Sequence, residues 1–397
     1  MSGDRPRVFL LAGEASGDRL GADLLRALRA RAPGLAVAGV GGALMAAEGL
    51  ESLFPMEELS LIGLAEVLPR LPALRRRLAQ ATEAALAFDP DVVVTIDSPD
   101  FSLRLARRIK AARPDLPTVH YVAPTVWAWR PGRARRMRGA VDHVLCLYPF
   151  EPRYMEAAGL GASFVGHPIA AEPVPPEAAR AALRRELGIG PGELLVAALP
   201  GSRRSEVNRL APRLGEALGR VARGRALSVV VPAAPPVAAQ VAEAVARWPL
   251  PVRLIDPRAL PPAEADARKR LALAAADAAL AVSGTVTLEL AALGTPMVVA
   301  YDLARPSWWI LRRLVRTPWA SMVNILHGAK VIPERLGPAC TAGALAEALA
   351  ALLDDPAARA RQRAAFDEAL AWLGRGGPAP GERAAEVVLE LAGAGRP

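Results

Sequence analysis

The chain has 397 residues, 52% of them hydrophobic, with Gly and Pro spread throughout and a formal net charge of +9. This length exceeds one ordinary core and predicts two domains, and the composition excludes long disorder. The positive balance favours phosphate-bearing partners, whether nucleotide, nucleic acid or anionic membrane, without choosing among them.

Cys146 in an apolar run and Cys340 far from it give neither a disulfide framework nor zinc spacing, and no histidine adds one, so no metal site and no cofactor are expected. Asp4 and Arg5 lead directly into an apolar run too short for a signal-peptide core. The most apolar later region, residues 271–301, is broken by Asp277, Glu289, Gly294 and Pro296. A soluble or peripheral protein is expected.

In chain order, the first half alternates strands at residues 8–12, 37–40, 92–96, 119–122 and 143–147 with helical stretches, among them 19–32 and 103–112. Continuous Val, Ile and Leu runs mark strands buried on both faces, hence a doubly wound parallel sheet. Gly13-Glu14-Ala15-Ser16-Gly17-Asp18 follows the first strand. Its glycines permit a tight turn, Ser16 and Asp18 can cap the next helix, and the free N–H groups suit an anion or sugar hydroxyl. The dinucleotide G-x-G-x-x-G spacing is absent, and a capped turn with a solvated Glu14 is the plainer alternative.

Asp97-Ser98-Pro99-Asp100-Phe101-Ser102 follows the third strand. Asp97, at a strand's carboxyl end, is the candidate general base, and Asp100 is expected to cap the following helix. Asp89-Pro90-Asp91 has the D-x-D form of metal-dependent sugar transferases, but it precedes its strand and is assigned to a turn. Trp127 and Trp129, two apart, would form one aromatic wall in an extended loop, beside Arg130, Arg133, Arg135, Arg136 and Arg138. Such a loop suits an anionic, partly apolar ligand; a buried Trp pair before a solvated basic helix is the alternative. His120 and His143 lie in strand runs and read as core, and His167, at the domain junction, as a hinge or supporting residue.

Residues 170–176 read as a linker, after which strands at 194–199, 227–231, 252–255, 278–282 and 297–300 restart the rhythm. The expected organisation is a domain over residues 1–170, a second over 171–340, and C-terminal helices over 341–397 that pack on either domain. Two Rossmann-like domains would face a cleft lined by the strands' carboxyl-end loops. Gly201 and Ser202 are expected to offer backbone N–H groups, and Arg203 a fixed positive fork, to a diphosphate. Ser283, Gly284 and Thr285 repeat that arrangement, with Glu289 one turn in, a candidate for ribose hydroxyls. Residues 56–78, with Leu61, Ile62, Leu64, Val67, Leu68 and Leu71 before Arg75, Arg76 and Arg77, and the run Trp308 to Arg313, are compatible with interfacial amphipathic helices; core packing is the commoner explanation.

Taken in order, GEASGD at 13–18, IDSPDF at 96–101, PTVWAWR at 124–130, YPFE at 148–151, VGHP at 165–168, LPGSRRSEV at 199–207, SGTVTLE at 283–289, PMVVAY at 296–301 and the Asn324 segment make the chain resemble the lipid-A-disaccharide synthases, inverting glycosyltransferases of the GT-B fold. The resemblance implies β-linked condensation of UDP-2,3-diacylglucosamine with 2,3-diacylglucosamine 1-phosphate (lipid X), releasing UDP without a metal, at the cytoplasmic leaflet of the inner membrane. By it, Asp97 would deprotonate the acceptor 6-hydroxyl, Arg203 would neutralise the departing UDP and Asn324 would belong to the donor site with Gly201, Ser202, Ser283, Gly284, Thr285 and Glu289. Glu14, Ser16, Asp100, Trp127 and Arg130 would lie on the acceptor side. A homodimer that exchanges C-terminal segments is implied too. Ser102 replaces the family's usual Asn, and Gly337 its usual Gln.

Two rivals compete with this expectation. One is another GT-B enzyme acting on a UDP-amino sugar, which the WAW loop and the acyl-compatible apolar segments disfavour. The other is a non-catalytic basic membrane- or RNA-binding protein, whose affinity would fall with salt and survive loss of Asp97.

Overall fold

The computed structural model describes residues 5–59 and 64–394. Two compact units divide the chain, Met1–Ala171 with Leu373–Pro397, and Glu172–Trp372.

In the first unit, β1 (Arg7–Ala12), β2 (Ala36–Val40), β3 (Val92–Ile96), β4 (Thr118–Tyr121), β5 (His143–Cys146) and β6 (Gly161–Phe164) form one parallel sheet in the order β2-β1-β3-β4-β5-β6. Val8 pairs with Val37 on one side and Val92 on the other, and β3 is buried along its whole length. Helices on both faces account for that burial and for the uninterrupted apolar strand sequences. Helix Ala15–Arg31 contributes Leu20, Leu24, Leu25 and Leu28 to the core. The helix packed on it comes from the far end of the chain: Pro380–Ala394 adds Ala384, Ala385 and Val388 to the same cluster. At their crossing a Cβ on Gly381 would stand 2.7 Å from the Asp23 carbonyl oxygen, so only glycine allows this approach.

In the second unit, β7 (Leu194–Leu199), β8 (Leu227–Pro232), β9 (Val252–Ile255), β10 (Ala278–Val282), β11 (Met297–Tyr301) and β12 (Glu334–Leu336) make a parallel sheet ordered β12-β11-β10-β7-β8-β9. Counted from β7, this is the 3-2-1-4-5-6 order of the Rossmann fold. Helices Arg204–Val221 and Ala342–Asp354 cover one face, and Pro262–Ala275, Thr285–Ala292 and Pro356–Trp372 the other.

Three local features differ from expectation. Edge strands β6 and β12 were not anticipated, the helix expected between β4 and β5 is one turn, Gly132–Arg135, and β4 ends before Val122, which has φ 85°. Leu61 and Ile62 of the amphipathic candidate lie outside the described residues; Arg77, in helix Leu64–Phe88, forks onto Glu58 at 2.6 and 2.8 Å.

Candidate active site

Strand order reverses between β1 and β3, the position at which doubly wound sheets bind ligands beyond their carboxyl ends. Gly13 follows β1 and Asp97 follows β3, and their loops touch. A Cβ on Gly13 would stand 2.6 Å from Ser98 Oγ and 2.9 Å from Ser98 Cβ. Asp97 and Ser98 both occupy left-handed backbone, with φ of 54° and 43°. Such a residue costs roughly 1–2 kcal/mol and persists only where its surroundings over-determine it. Here the Asp97 N–H donates to the Tyr121 carbonyl at 3.0 Å, and the Ser102 hydroxyl donates to the Asp97 carbonyl at 2.7 Å.

The carboxylate is aimed by its own turn. Oδ1 accepts the Ser98 N–H at 2.9 Å, and Oδ2 accepts the Ser16 hydroxyl at a longer 3.2 Å. Ser98 Oγ in turn donates to Glu14 Oε1 at 3.2 Å. Burial, reinforced by the Asp97 charge and opposed by the Ser98 hydrogen bond, lifts the Glu14 carboxyl above its ordinary range. The structure thus unites Glu14, Ser16 and Asp97, and adds Ser98 and Ser102.

Two capping expectations are corrected. Asp18 is buried and does not cap its own helix; its carboxylate accepts the N–H groups of Gly42, Leu44 and Met45 at 2.8, 2.9 and 3.0 Å, fixing the loop after β2. Asp100 lies exposed in the first turn of helix Pro99–Ala112, whose N-cap is Ser98 without a side-chain cap bond. Its charge complements the helix dipole instead. Asp89 and Asp91 precede β3, where Asp89 pairs with Arg113 at 2.7 Å and Asp91 accepts the Arg7 N–H at 2.7 Å.

The expected aromatic wall is also corrected, because residues 126–128 form a turn and not an extended run. Trp129 N–H closes it onto the Thr125 carbonyl at 3.2 Å, and the two indoles part. Trp127 packs edge-on against Phe150 at 5.2 Å and Tyr148 at 6.3 Å, and its Nε1 donates to Glu151 Oε1 at 3.2 Å. Trp129 bonds Thr125 Oγ1, with the exposed Arg130 guanidinium 4.4 Å over its ring. Glu151, 1% exposed, also accepts the Leu147 and Tyr148 N–H groups at 3.1 Å, and burial pushes its carboxyl up to about 7. His167 faces Tyr148, and His120 is buried against Thr95 Oγ1 at 2.8 Å; burial pulls both down to about 4.

In the second unit the switch point lies between β7 and β10. Gly201 after β7 has φ 117°, and a Cβ there would stand 2.6 Å from Glu206 Cβ. Arg203 occupies the N-cap position of helix Arg204–Val221, and its side chain is 78% exposed. The Ser202 N–H is not left open as expected. Glu206 reaches back from the first turn, its Oε2 accepting the Ser202 and Arg203 N–H groups at 3.0 and 3.2 Å and its Oε1 meeting the Arg203 guanidinium at 3.3 Å. Glu206 makes one half of a capping box, the guanidinium having no acceptor for the reciprocal bond, and its carboxylate stands where a helix N-terminus would otherwise take an anion. Glu206 was missed because its usual partner at the cap is Ser or Thr.

After β10, Ser283 Oγ donates to the Ala320 carbonyl at 2.9 Å, and Gly284 and Thr285 are exposed at the start of the next helix. Glu289 is engaged with Lys269 Nζ at 2.5 Å. Asn324 departs most from a donor contact: it is 0% exposed and its amide is saturated. Oδ1 accepts the Val331 and Ile332 N–H groups at 2.9 and 2.8 Å, and Nδ2 donates to the Ile332 carbonyl at 2.9 Å and Glu334 Oε1 at 2.8 Å.

The family model described as lipid-A-disaccharide synthetase matches residues 8–374. A lipid-A-disaccharide synthase from Ruegeria pomeroyi is 56% identical over 385 residues, covering 97% of this chain and 95% of that protein. The chain belongs to the lipid-A-disaccharide synthase family. It is a glycosyltransferase of lipid A biosynthesis. Among solved structures, it resembles a UDP-N-acetylglucosamine 2-epimerase described as putative, from Listeria monocytogenes (TM-score 0.63, 16% identity, 97% of this chain and 95% of that one). A calicheamicin glycosyltransferase gives a TM-score of 0.56 at 19% identity, covering both chains fully. At these identities the likeness is one of fold, and the fold is GT-B. For a lipid-A-disaccharide synthase, the chemistry required is a base for a sugar hydroxyl and a cation for a departing nucleotide.

Proposed function

We propose that the enzyme condenses UDP-2,3-diacylglucosamine with 2,3-diacylglucosamine 1-phosphate to give the β-linked disaccharide 1-phosphate and UDP, with inversion. Asp97 takes the proton of the acceptor 6-hydroxyl as that oxygen attacks the donor's anomeric carbon. The bond to UDP breaks, and Arg203 receives the charge that develops on the diphosphate. Glu14, Ser16, Asp100, Trp127 and Arg130 serve the acceptor side. Gly201, Ser202, Ser283, Gly284, Thr285 and Glu289 serve the donor.

The observation that carries this reading is the Asp97 carboxylate, held at the switch point in left-handed backbone with Oδ2, among the described residues, on a hydroxyl at 3.2 Å. A carboxylate so placed is an acceptor for a second hydroxyl. The test incubates enzyme, both lipids and chelator in detergent, and follows UDP release and product mass. Disaccharide 1-phosphate formed in chelator supports the reaction and its independence of metal. UDP without disaccharide would indicate hydrolysis or another acceptor, and no UDP would refute the assignment.

Acylated substrates are met at a membrane surface, and this reading has the enzyme working as a peripheral protein on the cytoplasmic face of the inner membrane. Among the described residues no helix is long and apolar enough to cross a membrane. Helix Arg305–Leu314 instead presents Trp309, Ile310 and Leu314 at 60%, 52% and 52% exposure, with the Arg313 guanidinium 3.3 Å over the Trp309 ring. Trp with basic neighbours on a short helix suits an anionic lipid interface. Trp309→Ser with Ile310→Ser should reduce sedimentation with phosphatidylglycerol vesicles, and equal sedimentation would exclude this helix. A homodimer that exchanges the segment from Leu373 onward would keep in trans the contacts made here in cis, and the mass in solution distinguishes the two states.

A further inference from the structure

We infer that Glu334 is a positioning residue for the donor loop, acting through Ala320 and Ser283, and that Asn324 serves the same hub without touching the nucleotide. This rests on the assignment of Ser283 to the donor side.

The hub is built from four donors converging on one buried carboxylate. Glu334, on β12 and 9% exposed, accepts the Ala320 N–H at 2.9 Å on Oε2. On Oε1 it accepts the Ser321 N–H at 2.8 Å, the Ser321 hydroxyl at 2.7 Å and Asn324 Nδ2 at 2.8 Å. The amide of Asn324 also ties down residues 331 and 332, which lead into β12. Ala320 faces both ways: its N–H goes to Glu334, while its carbonyl accepts the Ser283 hydroxyl at 2.9 Å.

Ser283 is the first residue after β10, at the switch point of this sheet, and its N–H donates to the Ala300 carbonyl at 2.9 Å. The side chain of Ser283 is therefore held by a peptide that Glu334 orients. An edge strand of three residues has no need of a buried carboxylate for pairing alone. Its partners all lie in residues 320–324, which meet the loop at the Ser283–Ala320 hydrogen bond. A buried carboxylate is costly unless fully hydrogen-bonded, and complete satisfaction makes such a site rigid and unique in geometry.

The experiment measures UDP affinity by calorimetry, without acceptor, for wild type, Glu334→Gln, Ser283→Ala and the double variant, with melting temperatures alongside. Glutamine keeps the shape but brings an N–H₂ against N–H donors. Glu334→Gln should weaken UDP binding about tenfold or more. Ser283→Ala should act in the same direction, and the double variant should lose less than the product of the two losses, because both changes break one connection. Gln362→Ala serves as a control: it removes another buried amide of the second unit, one that bridges the Met297 backbone, and should lower the melting temperature with UDP affinity intact. If Glu334→Gln does not fold, Ser321→Ala, which deletes one of the hub's donors, carries the same comparison. Folded variants with wild-type UDP affinity, or losses that simply multiply, would overturn the inference while leaving the donor assignment standing. A wild type that does not bind UDP would overturn both.

Discussion

Asp97 stores backbone strain that its neighbours hold in place, so its proposed role as base can be tested apart from the fold of its turn. Asp97→Asn keeps size and turn but removes the proton acceptor, so kcat should fall about 10²–10⁴-fold while UDP affinity holds; unchanged turnover would sink the base assignment. Ser102 supplies a hydrogen bond to the Asp97 carbonyl. A pH signature belongs to Glu151. Its carboxyl is raised from an ordinary 4.5 to about 7, so its contribution is present in full below pH 4.5 and is lost as pH rises through 7, roughly 3 kcal/mol in all. His120 and His167, both lowered, act with the opposite sign, destabilising as pH falls from 6.5 towards 4. The readout is therefore the difference between wild type and Glu151→Gln, which should shift against wild type from pH 8 to pH 5; parallel melting curves would exclude the assignment. The place of Asp97 beyond β3 was legible because it ends an apolar strand. The hydrogen-bond partners of Glu206 and Glu334 were not, since they include backbone N–H groups that come together only in three dimensions.

The loops that carry the site depend on glycines at close approaches. Gly13→Ala would push against Ser98 Oγ and Cβ, and overpacking of this kind costs typically ~1–3 kcal/mol. Its expected result is a lower melting temperature together with a loss of kcat, because the displaced residue adjoins the base; a destabilised variant with full kcat would show that the contact is structural only. Central strands were legible because burial on both faces writes itself as unbroken Val, Leu and Ile. Edge strands were not: Gly161–Phe164 is half exposed, and Glu334–Leu336 carries two charged residues. The Trp127 turn was misread for a related reason. Spacing of two in sequence implies a shared face only in extended backbone, and nothing in the residues 126–128 marks the turn that parts the indoles.

At the scale of the molecule, the two units should melt as separable transitions, since each has its own core. Gly381→Val would force apart helices Ala15–Arg31 and Pro380–Ala394. Calorimetry should show one transition lowered and the other in place; a uniform shift of both would mean that the units melt as one. The path of the chain has a further consequence during synthesis. The second unit is contiguous and is complete once Trp372 is made, whereas the first, begun earlier, waits for residues 380–394. At 5–20 residues per second, that wait lasts roughly 10–40 s. Throughout it the part of helix Ala15–Arg31 that Pro380–Ala394 covers stands open on the ribosome, a natural client for a chaperone, and the half of the enzyme translated first is the half that matures last.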